Sequence, residues 1–173
     1  MIVLRKIYDA IGQMSERSGR AVSILVVMLI VSMVYEVFSR YVFNAPTTWS
    51  FTVSYMMGAS IIALGMCYVY YHNANVRVDV IYSRLPLKGR LLIDTVMTVV
   101  FFFPLVFMLT KVWAEDTWHA YVIKEVPTQS IWYPPLWPFK LIITLGFALL
   151  FLQGIATFLK DLASLLKGGR EPW

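Results

Sequence analysis

The sequence predicts an all-α membrane protein: four transmembrane helices preceded by an N-terminal amphipathic interfacial helix. Three observations carry this reading. Of 173 residues, 59% are apolar and 14% are charged, against roughly a quarter charged in a soluble domain. The mean hydropathy is +0.68. Four apolar stretches reach the roughly 20 residues that a membrane-spanning helix needs. The same figures exclude a disordered chain and most soluble enzymes. A lone cysteine, Cys67, excludes a disulfide scaffold. The net charge of +5 would suggest nucleic acid in a polar protein. Here the cations lie between long apolar runs, so membrane lipids are the expected partner and nucleic acid is not. The chain reads as a single membrane domain over 1–173.

The elements follow in order. Over residues 1–20, Leu4, Ile7, Tyr8, Ile11 and Met14 recur at helical spacing among Arg5, Lys6, Asp9, Glu16 and Arg17. That pattern predicts an amphipathic helix lying in the headgroup layer. Apolar runs at about 21–43, 51–71, 91–113 and 136–159 are the four spans, each long enough to cross roughly 30 Å of hydrocarbon. The first is too long for a signal-peptide core, so it is expected to stay in the membrane. Pro104 is expected to kink the third span. Gly146, Gln153 and Gly154 mark a face of the fourth span for close packing, and Gly58, Ser60 and Gly65 mark a second on the second span. No internal repeat is visible.

Lys and Arg set the orientation. Arg5, Lys6, Arg17 and Arg20, then Arg77, Arg84, Lys88 and Arg90, then Lys160, Lys167 and Arg170 fall on one side, eleven of the fifteen basic residues. Arg40, Lys111, Lys124 and Lys140 fall on the other. Both termini are therefore expected in the cytoplasm, with 44–50 and 114–135 outside. Trp49, Trp113, Trp118, Trp132 and Trp137 then gather at the outer interface, where indole rings anchor well.

Few residues offer chemistry. Glu36 and Arg40 lie in the outer half of the first span at i,i+4, so they share a face and can pair. They read either as a proton or substrate site, or as a neutralised pair at a subunit interface with Arg40 reaching to the headgroups. A carboxylate paired with guanidinium is a poor proton carrier, which favours the second reading. Lys111 and Lys140 sit where they can snorkel. His72 and His119 fall at opposite ends of the spans and cannot form a haem pair. The sequence shows no zinc-type spacing, phosphate-binding glycine loop or placeable catalytic triad. An enzyme is not expected, nor a cofactor bound by this chain.

Three motifs, in order, carry a resemblance. The first span ends in Glu36-Val-Phe-Ser-Arg40-Tyr-Val-Phe-Asn44-Ala-Pro46, followed by Trp49. The next loop reads Asn75-Val-Arg77-Val-Asp79, with Leu85-Pro86 after it. The last span opens with Pro135-Leu-Trp137-Pro138-Phe-Lys140 and contains Gln153-Gly154. Together they resemble the small, DctQ-like membrane subunit of tripartite ATP-independent periplasmic (TRAP) transporters, over about 24–159. Two departures stand out. Ser50, Phe51 and Thr52 follow Trp49 where the family often has acids, and Asn75 replaces a histidine.

The resemblance implies a scaffold subunit in a bacterial or archaeal cytoplasmic membrane. Its partners would be a large multi-span subunit, which carries the substrate and sodium sites and works as an elevator, and a periplasmic binding protein that delivers an organic acid anion. Glu36, Arg40, Trp49, Arg77, Asp79, Lys140 and Gln153 are the candidate contacts to the large subunit or lipid. Glu115, Asp116, Lys124 and Glu125 are the candidate contacts to the binding protein. The competing reading is a self-sufficient small exporter using Glu36, which requires that carboxylate to be unpaired and to face a cavity. A haem-bearing anchor and a scaffold unrelated to transport are the others.

Overall fold

The computed structural model of the chain describes residues 2–75, 87–128 and 131–166. These are helical throughout apart from their connections. Helix α1 runs Ile2–Val42, α2 Ser50–Tyr71, α3 Leu87–Met97, α4 Phe103–Val122 and α5 Trp137–Leu166. A π-helical turn, Thr98–Phe102, joins α3 to α4 in one rod. Four helical stretches are long and apolar enough to cross a membrane: Tyr8–Val42, Ser50–Tyr71, Leu92–Val122 and Trp137–Ser164. The helices run alternately up and down. Residues 43–49, 123–128 and 131–136 form one end of the molecule, here the loop end. The start of α1 and the end of α5 share the opposite end, where Lys160 lies over the Tyr8 ring.

The expected boundary near residue 20 is absent. Residues 2–42 form one helix, about 60 Å long at 1.5 Å per residue. The face that packs follows the one the apolar spacing marks only in part: Tyr8 and Ile11 are half-buried, and Tyr8 meets the Tyr71 ring with centroids 5.8 Å apart. Met14 is exposed, and the side chains of Leu4 and Ile7 lie outside the described residues. The covered stripe runs on through Gly12, Ser15, Ser18, Val22, Leu25, Leu29, Ser32 and Glu36. That stripe keeps helical period across residue 20, so one helix serves both halves. Gly12 and Gly19 do not break it. Tyr71 and Tyr68 of α2 close over them, leaving no room for a Cβ against either ring. Residues 8–20 thus pack along α2 and α5.

The third span also departs from expectation. The helix continues nine residues past Trp113, to Val122, so Glu115 and Asp116 sit on a helix and not in a loop. Thr117 Oγ1 donates to Trp113 O at 2.7 Å inside this extension. Pro104 lacks an N–H and its ring crowds the carbonyl four residues back. The chain answers by widening the preceding turn into π geometry, a recognised relief for an interrupted ladder.

Packing runs in the order α1, α2, α5, α4, with α1 also meeting α5 near the terminal end. Helix α5 is the hub. Its Gly146 lies against the Ala63 backbone, where an added Cβ would stand 2.7 Å from the carbonyl. Gly154 faces the Phe102 ring. Ala63, Phe139 and Ile143 form the buried core toward the loop end. Small residues at contacts are what a bilayer favours. Lipid tails are as apolar as leucine, so helices gain from close approach and polar pairing rather than from hiding apolar area. The expected packing face at Gly146 and Gly154 is therefore occupied. On α2, Ser60 is buried and bonds Met56 O at 2.8 Å, while Gly58 and Gly65 have nothing within 4 Å of an added Cβ.

Positive φ closes three helices. Asn44, Asn73 and Lys124 have φ of 52°, 51° and 53°. After Asn73, Ala74 N–H reaches Val69 O at 3.0 Å; after Lys124, Glu125 N–H reaches Ala120 O at 3.0 Å. Both bonds satisfy carbonyls that a helix end leaves open.

These contacts predict a graded effect of added methyl groups. Gly146→Ala should lower the unfolding temperature in detergent, at about 1–3 kcal/mol for overpacking. Gly58→Ala should be neutral, or stabilise by up to about 1 kcal/mol through helix propensity. Equal losses at the two positions would contradict this packing.

Candidate functional site

Polar groups gather in three places. The first is the junction of α1, α2 and α5. Ser15, Cys67 and Gln153 are each fully buried. Ser15 Oγ lies 2.9 Å from Gln153 Oε1 and 3.0 Å from Cys67 Sγ. A hydroxyl has one proton and a thiol is a weak donor. Ser15 O–H therefore donates to Gln153 Oε1, with Ile11 O a second acceptor at 3.2 Å, and Cys67 S–H donates to Ser15 Oγ. Gln153 Nε2 continues to Thr157 Oγ1 at 3.5 Å. Sequence reasoning singled out Gln153 but missed Ser15. The signal was present in the spacing of Gly12, Ser15 and Gly19, which repeats small residues along one face.

The second is at the loop end of α1. Arg40 Nη2 donates to Glu36 Oε1 at 2.6 Å. Glu36 Oε2 accepts from Thr47 N–H at 3.0 Å and from the Thr47 hydroxyl. Both carboxylate oxygens are occupied. The Glu36 side chain is 12% exposed and Arg40 is 58% exposed. Thr47, which the sequence did not flag, ties the 43–49 turn back onto α1. Trp49 stacks on Tyr35 with ring centroids 5.9 Å apart. The Glu36–Arg40 pair forms as its i,i+4 spacing predicted, and Trp49, expected separately, lies at the same loop end.

The third joins α4, α5 and the connection between them. Lys140 Nζ lies 2.8 Å from Asp116 Oδ2 and 2.6 Å from Glu125 Oε2, and its side chain is 12% exposed. Leu136 N–H donates to Glu125 O at 3.0 Å. Lys140 thus clamps the ends of the 123–136 connection. Of the four acids and bases assigned to docking, Asp116 and Glu125 face this lysine. Glu115 is exposed and pairs loosely with Lys111 at 3.7 Å. Lys124 takes the left-handed position that ends α4. Arg77 and Asp79 lie outside the described residues.

Among the described residues, no three His, Cys, Asp or Glu side chains converge as metal ligands. His72 Nε2 meets Glu16 Oε1 at 2.8 Å, bracing α1 against the end of α2. The three polar sites hold helices and a turn in place. None offers a nucleophile with an adjacent base.

Two measurements probe these sites. Ser15→Ala and Gln153→Leu should each destabilise by about 0.6–1.7 kcal/mol, the range for polar contacts within membranes. The double variant should lose less than their sum in a double-mutant cycle; strict additivity would deny the contact. Lys140→Met leaves two carboxylates unpaired and should open the 123–136 connection to protease several-fold, at about 1–3 kcal/mol. Lys111→Met should leave cleavage unchanged.

Comparison with known families matched residues 29–164 to the model of the DctQ component of tripartite ATP-independent periplasmic transporters. Comparisons with curated proteins and with solved structures gave no match.

Proposed function

We propose a supporting role for this chain, which belongs to the DctQ component family of tripartite ATP-independent periplasmic transporters: it serves as the small scaffold subunit of a sodium-coupled importer. The family is one of transporter components and not of enzymes, and its four apolar helices make the chain a multi-pass membrane protein. Beyond that membership, the reading assigns substrate and sodium to a large multi-span partner that moves as an elevator. It assigns delivery of an organic acid anion to a periplasmic binding protein. This chain widens the fixed part of the large subunit and adds to the surface on which the binding protein docks. It lies in the cytoplasmic membrane with both termini inside, as the distribution of Lys and Arg supports.

The family match over 29–164 is the observation that carries this proposal. Two structural features fit it. A chain that binds substrate at mid-membrane is expected to bring broken helices and polar groups to that depth. Here Glu36, Arg40 and Lys140 are committed to pairs near the loop end. The exposed side of α1 from Ile24 to Val31 and the Gly58–Gly65 face of α2 are also left open by the rest of the chain. That leaves a broad face for a large neighbour. The exporter reading required an unpaired Glu36, and both its oxygens are bonded.

The test is uptake by the assembled transporter. Gly58→Trp and Gly65→Trp should reduce the large subunit recovered with this chain, and uptake in proportion, while the KM of the remaining uptake stays unchanged. A raised KM at unchanged assembly would place substrate against this chain and end the scaffold reading.

A further inference from the structure

We propose that the Arg40 corner is a binding site for one phospholipid, with its phosphodiester on the Arg40 guanidinium and an acyl chain in the groove beside Val37. Two adjoining grooves build the site. One, of about 330 Å³, is bordered by Arg40, Thr47, Ser50 and Ser54, and by Glu36, whose two oxygens are already taken by Arg40 and Thr47. The other, of about 300 Å³, is bordered by Val34 and Phe38 and is almost wholly apolar. Both share Met33 and Val37. The polarity therefore changes along one continuous surface: guanidinium and hydroxyls at the membrane boundary, then aliphatic and aromatic groups one to two turns further into the span. A glycerophospholipid has the same order of charge, ester and hydrocarbon.

Donor geometry, rather than net charge, marks this corner: the other loop-end cations, Lys111, Lys124 and Lys140, are ammonium point charges without a planar fork. Lys140 is shared by two carboxylates, and Lys111 faces Glu115 at 3.7 Å. Arg40 has Glu36 alone, and that carboxylate also takes two donors from Thr47. One guanidinium nitrogen holds Glu36 at 2.6 Å. An arginine carries five N–H donors in a planar fork, so the pair orients the group and leaves donors for a second oxyanion. Fork-to-phosphate pairing is the geometry at which arginine exceeds lysine. The depth is right as well. Arg40 is three residues from the Phe43 turn, at the same loop end as the Tyr35–Trp49 stack, and tryptophan and tyrosine favour headgroup level.

The test is native mass spectrometry of the purified full-length chain, titrated with phosphatidylglycerol carrying palmitoyl and oleoyl chains. Diacylglycerol with the same chains and inorganic phosphate are the two partial probes. One tight phosphatidylglycerol is expected, bound far better than either partial probe. Arg40→Ala should weaken it about tenfold, as for a charged hydrogen-bonding group. Arg40→Lys should fall between. Val37→Trp, which fills the shared groove and spares the ion pair, should weaken it by a similar factor if Arg40→Ala does not fold. Unchanged binding in Arg40→Lys and Val37→Trp would overturn the site, as would equal binding of diacylglycerol. A photo-cross-linker at Phe38 in native membranes should label lipid. Capture of a membrane protein there instead would make the groove a protein interface and overturn the proposal.

Discussion

The buried hydrogen-bond chain from Cys67 through Ser15 to Gln153 is the constraint on which the rest of the packing depends. Hydrocarbon offers no water to an unpaired amide or hydroxyl, so each such group must find a protein partner. Gln153 projects from the most buried helix, and Ser15 and Cys67 come from its two neighbours. Meeting at one point fixes the sliding register of three helices at once. With that register set, Gly146 falls against the Ala63 backbone and Gly154 against Phe102. Tyr68 and Tyr71 close over Gly19 and Gly12, and Glu16 reaches His72. Slipping α1 by one residue would turn Ser15 off this face and bring a bulky side chain into the seam.

Hydropathy made the four spans legible, because length and low charge are what a bilayer demands of a helix. It could not show which faces touch. In water an apolar stripe marks the buried side, and the spacing of Tyr8, Ile11 and Met14 was read that way. That inference holds only in part: Tyr8 and Ile11 are half-buried, Met14 is exposed, and the covered stripe of α1 runs on through Gly12, Ser15, Ser18 and Ser32. Gln153 was legible as an oddity, a polar group deep in an apolar run; its partners on two other helices were not. Glu36 with Arg40 was legible from i,i+4 spacing alone, whereas Thr47 entered only through the fold of the turn. The end of the third span was misjudged because Glu115 and Asp116 looked like loop residues. A helix that leaves the bilayer can carry charge freely, and Lys140 rewards Asp116 for staying helical.

The outcome is a chain braced at three levels. The small-residue seam and the Ser15 junction hold the terminal half, the Phe139 core and the Lys140 clamp hold the loop end, and Thr47 holds the first turn to Glu36. Little within this frame suggests a moving part. The large exposed apolar faces point away from the chain's own core. A frame of this kind is what the proposed scaffold role requires.

Rigidity is the central claim, and the native Cys67 gives direct access to it. Ser15 Oγ lies 3.0 Å from Cys67 Sγ, so Ser15→Cys brings a second sulfur beside the first. Oxidising that pair in the assembled transporter would lock α1 to α2 at the junction. Uptake before and after oxidation is the measurement. A fixed scaffold predicts the same rate in the locked and reduced forms. Uptake that stops on oxidation and returns on reduction would show that these helices move during transport, and would contradict the account.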